Sequence, residues 1–144
     1  MNTKIAYHKK ANRKGFTLVE LVVVILVMGI VAAVAAPKMF SAAGDARTNT
    51  TKQSLTVIRN AIQLYRAQTG VLPGEAGSEA DLKADLGPYL QGPFPTNQIP
   101  EAANDASISV VTAGTPLTVS GAQDWKYDNV TGECIINTTG LGTY

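Results

Sequence analysis

Residues 16–36 read FTLVELVVVILVMGIVAAVAA, from Phe16 to Ala36. These 21 residues carry one charge, Glu20. At about 1.5 Å rise per residue, a helix of this length reaches about 31 Å, the thickness of a bilayer's hydrocarbon core. A helix satisfies its own backbone in lipid, so the stretch can span a membrane. Two features complicate a plain anchor. A basic leader ending Arg13-Lys14-Gly15 abuts the stretch, and Glu20 lies only five residues into it. An acid at the centre of a membrane helix costs about 2.5–3.5 kcal/mol on insertion scales and less near an end, and ionisable residues inside membranes default to a functional role.

Outward from this stretch the charge is uneven. The chain has 144 residues and a formal net charge of +1. Five of its 12 Lys and Arg (Lys4, Lys9, Lys10, Arg13 and Lys14) lie in the leader, which holds no acid. Residues 16–144 therefore carry 7 basic and 11 acidic side chains, a formal −4. That balance leaves no basic stripe for nucleic acid, and aromatic residues are too sparse for a base-stacking platform. Cys134 is the single cysteine, so an intrachain disulfide and a CxxC pair are excluded, and its apolar surroundings read as a buried small hydrophobe. The single histidine, His8, is in the leader. A chain that loses the leader has no Ser-His-Asp or Cys-His catalysis and no histidine metal site.

Three readings of residues 1–36 compete. A secretory signal peptide explains Ala33-Val34-Ala35 as a cleavage pattern, but its apolar run is normally about 7–15 residues. A plain N-terminal anchor explains the length and the charge asymmetry but leaves Glu20 as a cost. The third reading cuts the chain between Gly15 and Phe16. The new α-amino group then lies about one helical turn from Glu20, and amine and carboxylate can neutralise each other between neighbouring chains. A buried pair of that kind sets the register of a helical stack.

Lys14-Gly15-Phe16-Thr17-Leu18-Val19-Glu20, followed by an uninterrupted apolar run and Pro37, resembles the prepilin leader of type IV pilins and type II secretion pseudopilins. The similarity spans Lys14 to about Pro37, with a looser match to Gly70, and is greatest to major-pseudopilin-type subunits. It implies cleavage between Gly15 and Phe16 by the prepilin peptidase, N-methylation at Phe16, and roles for Glu20 and Phe16 in assembly. It also implies that the stretch from Gly29 to Pro37 loosens or kinks. The implied partners are other copies in a helical filament and an inner-membrane assembly platform. The implied place is the inner membrane, crossed once, with the globular part periplasmic, and later a filament.

Three domains are expected: a leader over 1–15, a membrane and assembly segment over 16–36, and a pilin-like globular domain over 37–144. The expected fold is α+β, a long kinked N-terminal helix packed by its second half against a small C-terminal antiparallel sheet. The helix is expected from Phe16 to Gln68, with Gly70 as a left-handed stop. Leu55, Ile58, Ile62 and Tyr65 form one apolar face; Val57, Ala61 and Leu64 widen it, while Arg59 and Arg66 mostly face away. Residues 71–100 are loop-rich, with a short helix from Glu79 to Leu86 capped by Ser78 and with Tyr89, Leu90 and Phe94 pinning the loop. Strands are expected at 107–112, 117–120, 124–128 and 133–137. A hairpin turns at 128–132, Trp125 and Tyr127 share one face, and 140–144 form a loose tail.

The chemistry-bearing residues are few. Residues Asp105, Asp124, Asp128 and Glu133 fall near the sheet, where a two-acid hydrolase is arithmetically possible, but solvated turn acids account for them without further assumptions. The resemblance implies a calcium in a C-terminal acidic loop, yet Leu141-Gly142-Thr143-Tyr144 is neutral. Asp124, Asp128 and Glu133 are the remaining calcium candidates, and no tight site and no cofactor are expected. The chain thus reads as a non-enzymatic subunit of a secretion pseudopilus or pilus-like filament. The alternative is a membrane-anchored periplasmic binding module that does not polymerise.

Overall fold

The structure, a computed structural model, describes residues 15–99, 106–121 and 123–142. The basic leader through Lys14, Pro100, Asp105 and the last two residues of the tail lie outside the described residues. The elements are α1 (Leu18–Thr69), α2 (Glu79–Leu86), a 3₁₀ turn (Gly87–Tyr89), β1 (Ile108–Val111), β2 (Trp125–Asp128) and β3 (Cys134–Ile136). The chain divides into two compact units between Phe40 and Ser41.

In the first unit, α1 begins at Leu18, two residues after the expected start, and continues past Pro37. Its large apolar side chains from Leu18 to Phe40 are all exposed. In the second unit, the threonine-rich part of α1 satisfies itself: the hydroxyls of Thr48, Thr50, Thr51 and Thr56 each donate to the carbonyl four residues back. The helix stops as expected. Gly70 takes φ 82° and its N–H donates to the Arg66 carbonyl at 2.9 Å, a conformation that costs other residues an unfavourable Cβ contact.

The core joins Leu55, Ile58, Ala61 and Ile62 of α1 to Leu82 and Leu86 of α2, Ile108 of β1, Trp125 and Tyr127 of β2, and Cys134 and Ile136 of β3. The expected aromatic pair on β2 is thus in the same core as the helix face. That face is narrower than expected. Val57 and Leu64 remain 47% and 48% exposed, because at about 100° per residue they fall about 100° or more from the centre of the Ile58–Ile62 stripe. Thr51 lies on the stripe instead, four residues before Leu55, and is fully buried. Arg59, on the opposite flank, does not face away: its Nε and Nη2 donate to the Cys134 carbonyl at 3.0 and 2.8 Å.

α2 matches its expected bounds. Ser78 Oγ accepts from the Asp81 N–H, while Asp81, shorter than the usual Glu, reaches the Ala76 N–H instead of completing a capping box. Tyr89, Leu90 and Phe94 pack on the core as expected. The Tyr89 hydroxyl donates to Gln68, and its ring meets Tyr65 edge-on at 5.7 Å.

The sheet corrects the expected antiparallel arrangement. Its order is β1-β2-β3. β2 and β3 are antiparallel, with Trp125 opposite Ile136 and Tyr127 opposite Cys134, but β1 and β2 run parallel, with Ile108 opposite Trp125. The cause is the segment between them. Residues 117–120, expected as a strand, form none; they belong to a crossover of roughly a dozen residues, the length a parallel pair requires. Their amides are taken by side chains instead of a ladder: Leu117 N–H by Glu133 and Ser120 N–H by Asn137. The tail is also less loose than expected, since the Leu141 N–H donates to the Thr138 carbonyl and its side chain packs on the core.

Candidate processing and assembly site

Gly15, Phe16 and Thr17 precede α1. The Gly15–Phe16 peptide therefore stands outside helical hydrogen bonding, and Phe16 is 86% exposed. Thr17 Oγ1 accepts from the Glu20 N–H at 3.2 Å, and Glu20 Oε2 accepts from the Thr17 N–H and Oγ1–H, each at 2.9 Å. This reciprocal pair is a capping box, which serves two otherwise unpaired donors at a helix start. The cap adds to the amine partnership expected of Glu20, and the Thr17-x-x-Glu20 spacing is its sequence signal.

From Leu21 to Ala36 the surface of α1 is apolar on every side. Val22, Ile25, Leu26, Gly29, Ile30 and Ala33 line one shallow groove at helical spacing, with Gly29 as a notch that has nothing within 4 Å of its missing Cβ. Among the described residues, α1 is the one helix long and apolar enough to cross a membrane. Pro37 lies within it, eight residues after Gly29.

The acids of the sheet are not the solvated turn residues expected. Asp124 and Asp128 are buried. Asp128 Oδ1 accepts from Val130 N–H at 2.9 Å and Oδ2 from Gly114 N–H at 2.8 Å. Burial opposes its charge, but these amide donors outweigh that and lower its pKa below the usual carboxylate value. Glu133 Oε2 accepts from Leu117 N–H at 2.9 Å. Asp124 and Asp128 stand at opposite ends of β2. Among the described residues no three His, Cys, Asp or Glu side chains gather so as to hold a metal ion. Asp124, Asp128 and Glu133 do not fit the calcium that the resemblance implies. Cys134 is free and buried, and burial pushes its thiol up to about 12 against a smaller opposing effect of Arg59.

Residues 10–36 match the family described as the prokaryotic N-terminal methylation motif. Over 80 residues the chain is 30% identical to the type II secretion system core protein G of Pseudomonas aeruginosa, a span covering 55% of this chain and 56% of that protein. The chain thus spans a little over half the length of the curated relative it matches. No solved structure matches it significantly. Motif, relative and an α+β fold with a long apolar N-terminal helix together support the family that the sequence resembles, the pseudopilins and type IV pilins. Within it, the relative named above belongs to type II secretion.

Proposed function

We propose that this chain is a structural, non-enzymatic subunit of a type II secretion pseudopilus or a closely related pilus-like filament. It is made as a precursor, cut between Gly15 and Phe16 by a prepilin peptidase and N-methylated at Phe16. Residues 16–36 hold it in the inner membrane with the globular part periplasmic, until an assembly platform adds it to a helical fibre. The observation that carries this reading is the apolar half of α1, which buries none of its large side chains within its own chain. At about 1.5–3 kcal/mol for each Val, Leu, Ile or Met fully buried, exposure to water forgoes on the order of tens of kcal/mol. Lipid supplies the burial first, and neighbouring copies of the same helix supply it afterwards. Gly29 and Pro37 are the positions where the helix is expected to bend or loosen inside the fibre.

Glu20 acts twice in this scheme. In the single chain it caps α1 through Thr17; in the fibre its carboxylate neutralises the Phe16 amine of a neighbour. The two roles separate by substitution. Glu20→Gln keeps a capping-box residue and loses the charge, whereas Glu20→Ala loses both. Fibre yield is measured against the amount of subunit in the membrane fraction. Both variants are expected to insert and to be cut but to assemble poorly. Normal fibres from Glu20→Gln restrict Glu20 to capping, normal fibres from both remove Glu20 from assembly, and no fibres from the wild type leave a tethered module that does not polymerise.

A further inference from the structure

The crossover between β1 and β2 is fastened at three places by different chemistry, the middle one being the Lys126 ammonium, which donates to the Thr118 carbonyl at 2.8 Å. Near its start, Asp128 Oδ2 accepts from Gly114 N–H at 2.8 Å and Glu133 Oε2 accepts from Leu117 N–H at 2.9 Å. Near its end, Asn137 Oδ1 accepts from the Ser120 N–H at 2.7 Å and the Gly121 N–H at 3.3 Å. All three side-chain acceptors lie on the β2–β3 hairpin or just past it, and most of the crossover itself is exposed. The first fastening depends on two ionised carboxylates. The last depends on an amide, which does not titrate.

We propose that residues 112–117 form an acid-releasable strap, held closed by the Asp128 and Glu133 carboxylates and hinged where Lys126 and Asn137 hold Thr118, Ser120 and Gly121 by bonds that use no carboxylate. A protonated carboxyl retains a carbonyl oxygen but loses the charge that makes its bonds to amides about twice as strong as neutral ones.

Arg66 of α1 and Glu75 line a shallow pocket with Thr112, Asn129 and Val130 beside the start of the strap. Lys126 of β2 donates to the Thr118 carbonyl at 2.8 Å, and Arg59 of α1 is seated on the Cys134 carbonyl; neither bond involves a carboxylate. Tyr127 and Cys134 stay neutral in the acid range, because burial pushes both upward. Asp85 of α2, which also acts on Tyr127, is committed to the Gly74 N–H at 2.8 Å. Asp124 stands at the far end of β2. Two acceptors of Asp128 are filled by amides, which delays its protonation, so release requires acid well below neutrality.

Amide hydrogen exchange on the full chain in detergent micelles tests this. Protection factors of Gly114, Leu117, Ser120 and Gly121 are followed by NMR from about pH 7 to about pH 2, with Trp125 fluorescence reporting the fold. Protection at Gly114 and Leu117 is expected to fall roughly tenfold while Ser120 and Gly121 hold theirs. The double variant Asp128→Asn with Glu133→Gln is expected to show the low values already at neutral pH and no dependence on acid. If either Gly114 or Leu117 keeps pace with Ser120 and Gly121, or if all four fall together, the proposal is overturned. The wild-type titration decides this even if the double variant does not fold.

Discussion

Cys134 and Asn97 show how single buried side chains behave in this fold. Cys134 is sealed in the core and its thiol is raised to about 12, so at neutral pH it stays protonated and out of reach. Ellman's reagent is expected to find no reactive thiol in the native chain and one per chain after denaturation; fast labelling of the native protein contradicts the burial. Asn97 is fully buried between distant parts of the chain. Its Oδ1 accepts from the Ile99 N–H and shares the Thr51 hydroxyl hydrogen with the Arg47 carbonyl, and its Nδ2 donates to Thr138. Removing the amide strands these partners, at about 1–3 kcal/mol for a buried unsatisfied group. Asn97→Ala is expected to lower stability by about 2–3 kcal/mol. Urea unfolding read through Trp125, the chain's single tryptophan, measures it; an unchanged midpoint refutes the role. The burial of Cys134 was legible in its apolar surroundings; the Asn97 network was not, because Thr51 and Asn97 are polar, 46 residues apart, and carry no local sign of meeting.

At the scale of elements, what is local was legible and what is not local was less so. Ser78 capping α2, Gly70 stopping α1 and the 128–132 hairpin are decided by a few neighbouring residues, and each stands where the sequence put it. Gly132 closes the hairpin with φ 77°, and a Cβ there would lie 2.8 Å from Leu72. Strand pairing is different. Leu117-Thr118-Val119-Ser120 has the alternation of a strand, yet Glu133 and Asn137 take its amides and the chain runs on to place β2 parallel to β1. No short-range signal separates those outcomes. Asp128, which holds the Gly114 N–H, sets an acid limit. Its folded pKa lies below the usual carboxylate value, so its stabilisation is complete above the unfolded value and is lost as pH falls through the folded one. Stability of the wild type is expected to drop in the acid limb below about pH 4, and more steeply than in Asp128→Asn. Equal slopes in the two proteins contradict the contribution of this carboxylate.

At the scale of the whole molecule, the long apolar helix and the α+β fold were both legible, because an apolar run of this length has few solutions and Leu55, Ile58 and Ile62 announce a second, core-facing use of the same helix. The capping role of Glu20 was not drawn from the sequence, since the conspicuous fact about an acid in an apolar run is its charge. A fibre subunit and a tethered module have the same monomer; they part at the junction between Gly15 and Phe16. That bond precedes α1, and cutting it creates the cation that Glu20 is proposed to neutralise. The direct test is the intact mass of the protein extracted from membranes of cells that carry a prepilin peptidase. The expected result is a chain beginning at Phe16 and heavier by one methyl group. A chain that keeps its leader, or one that begins at Ala36 or Pro37, contradicts it.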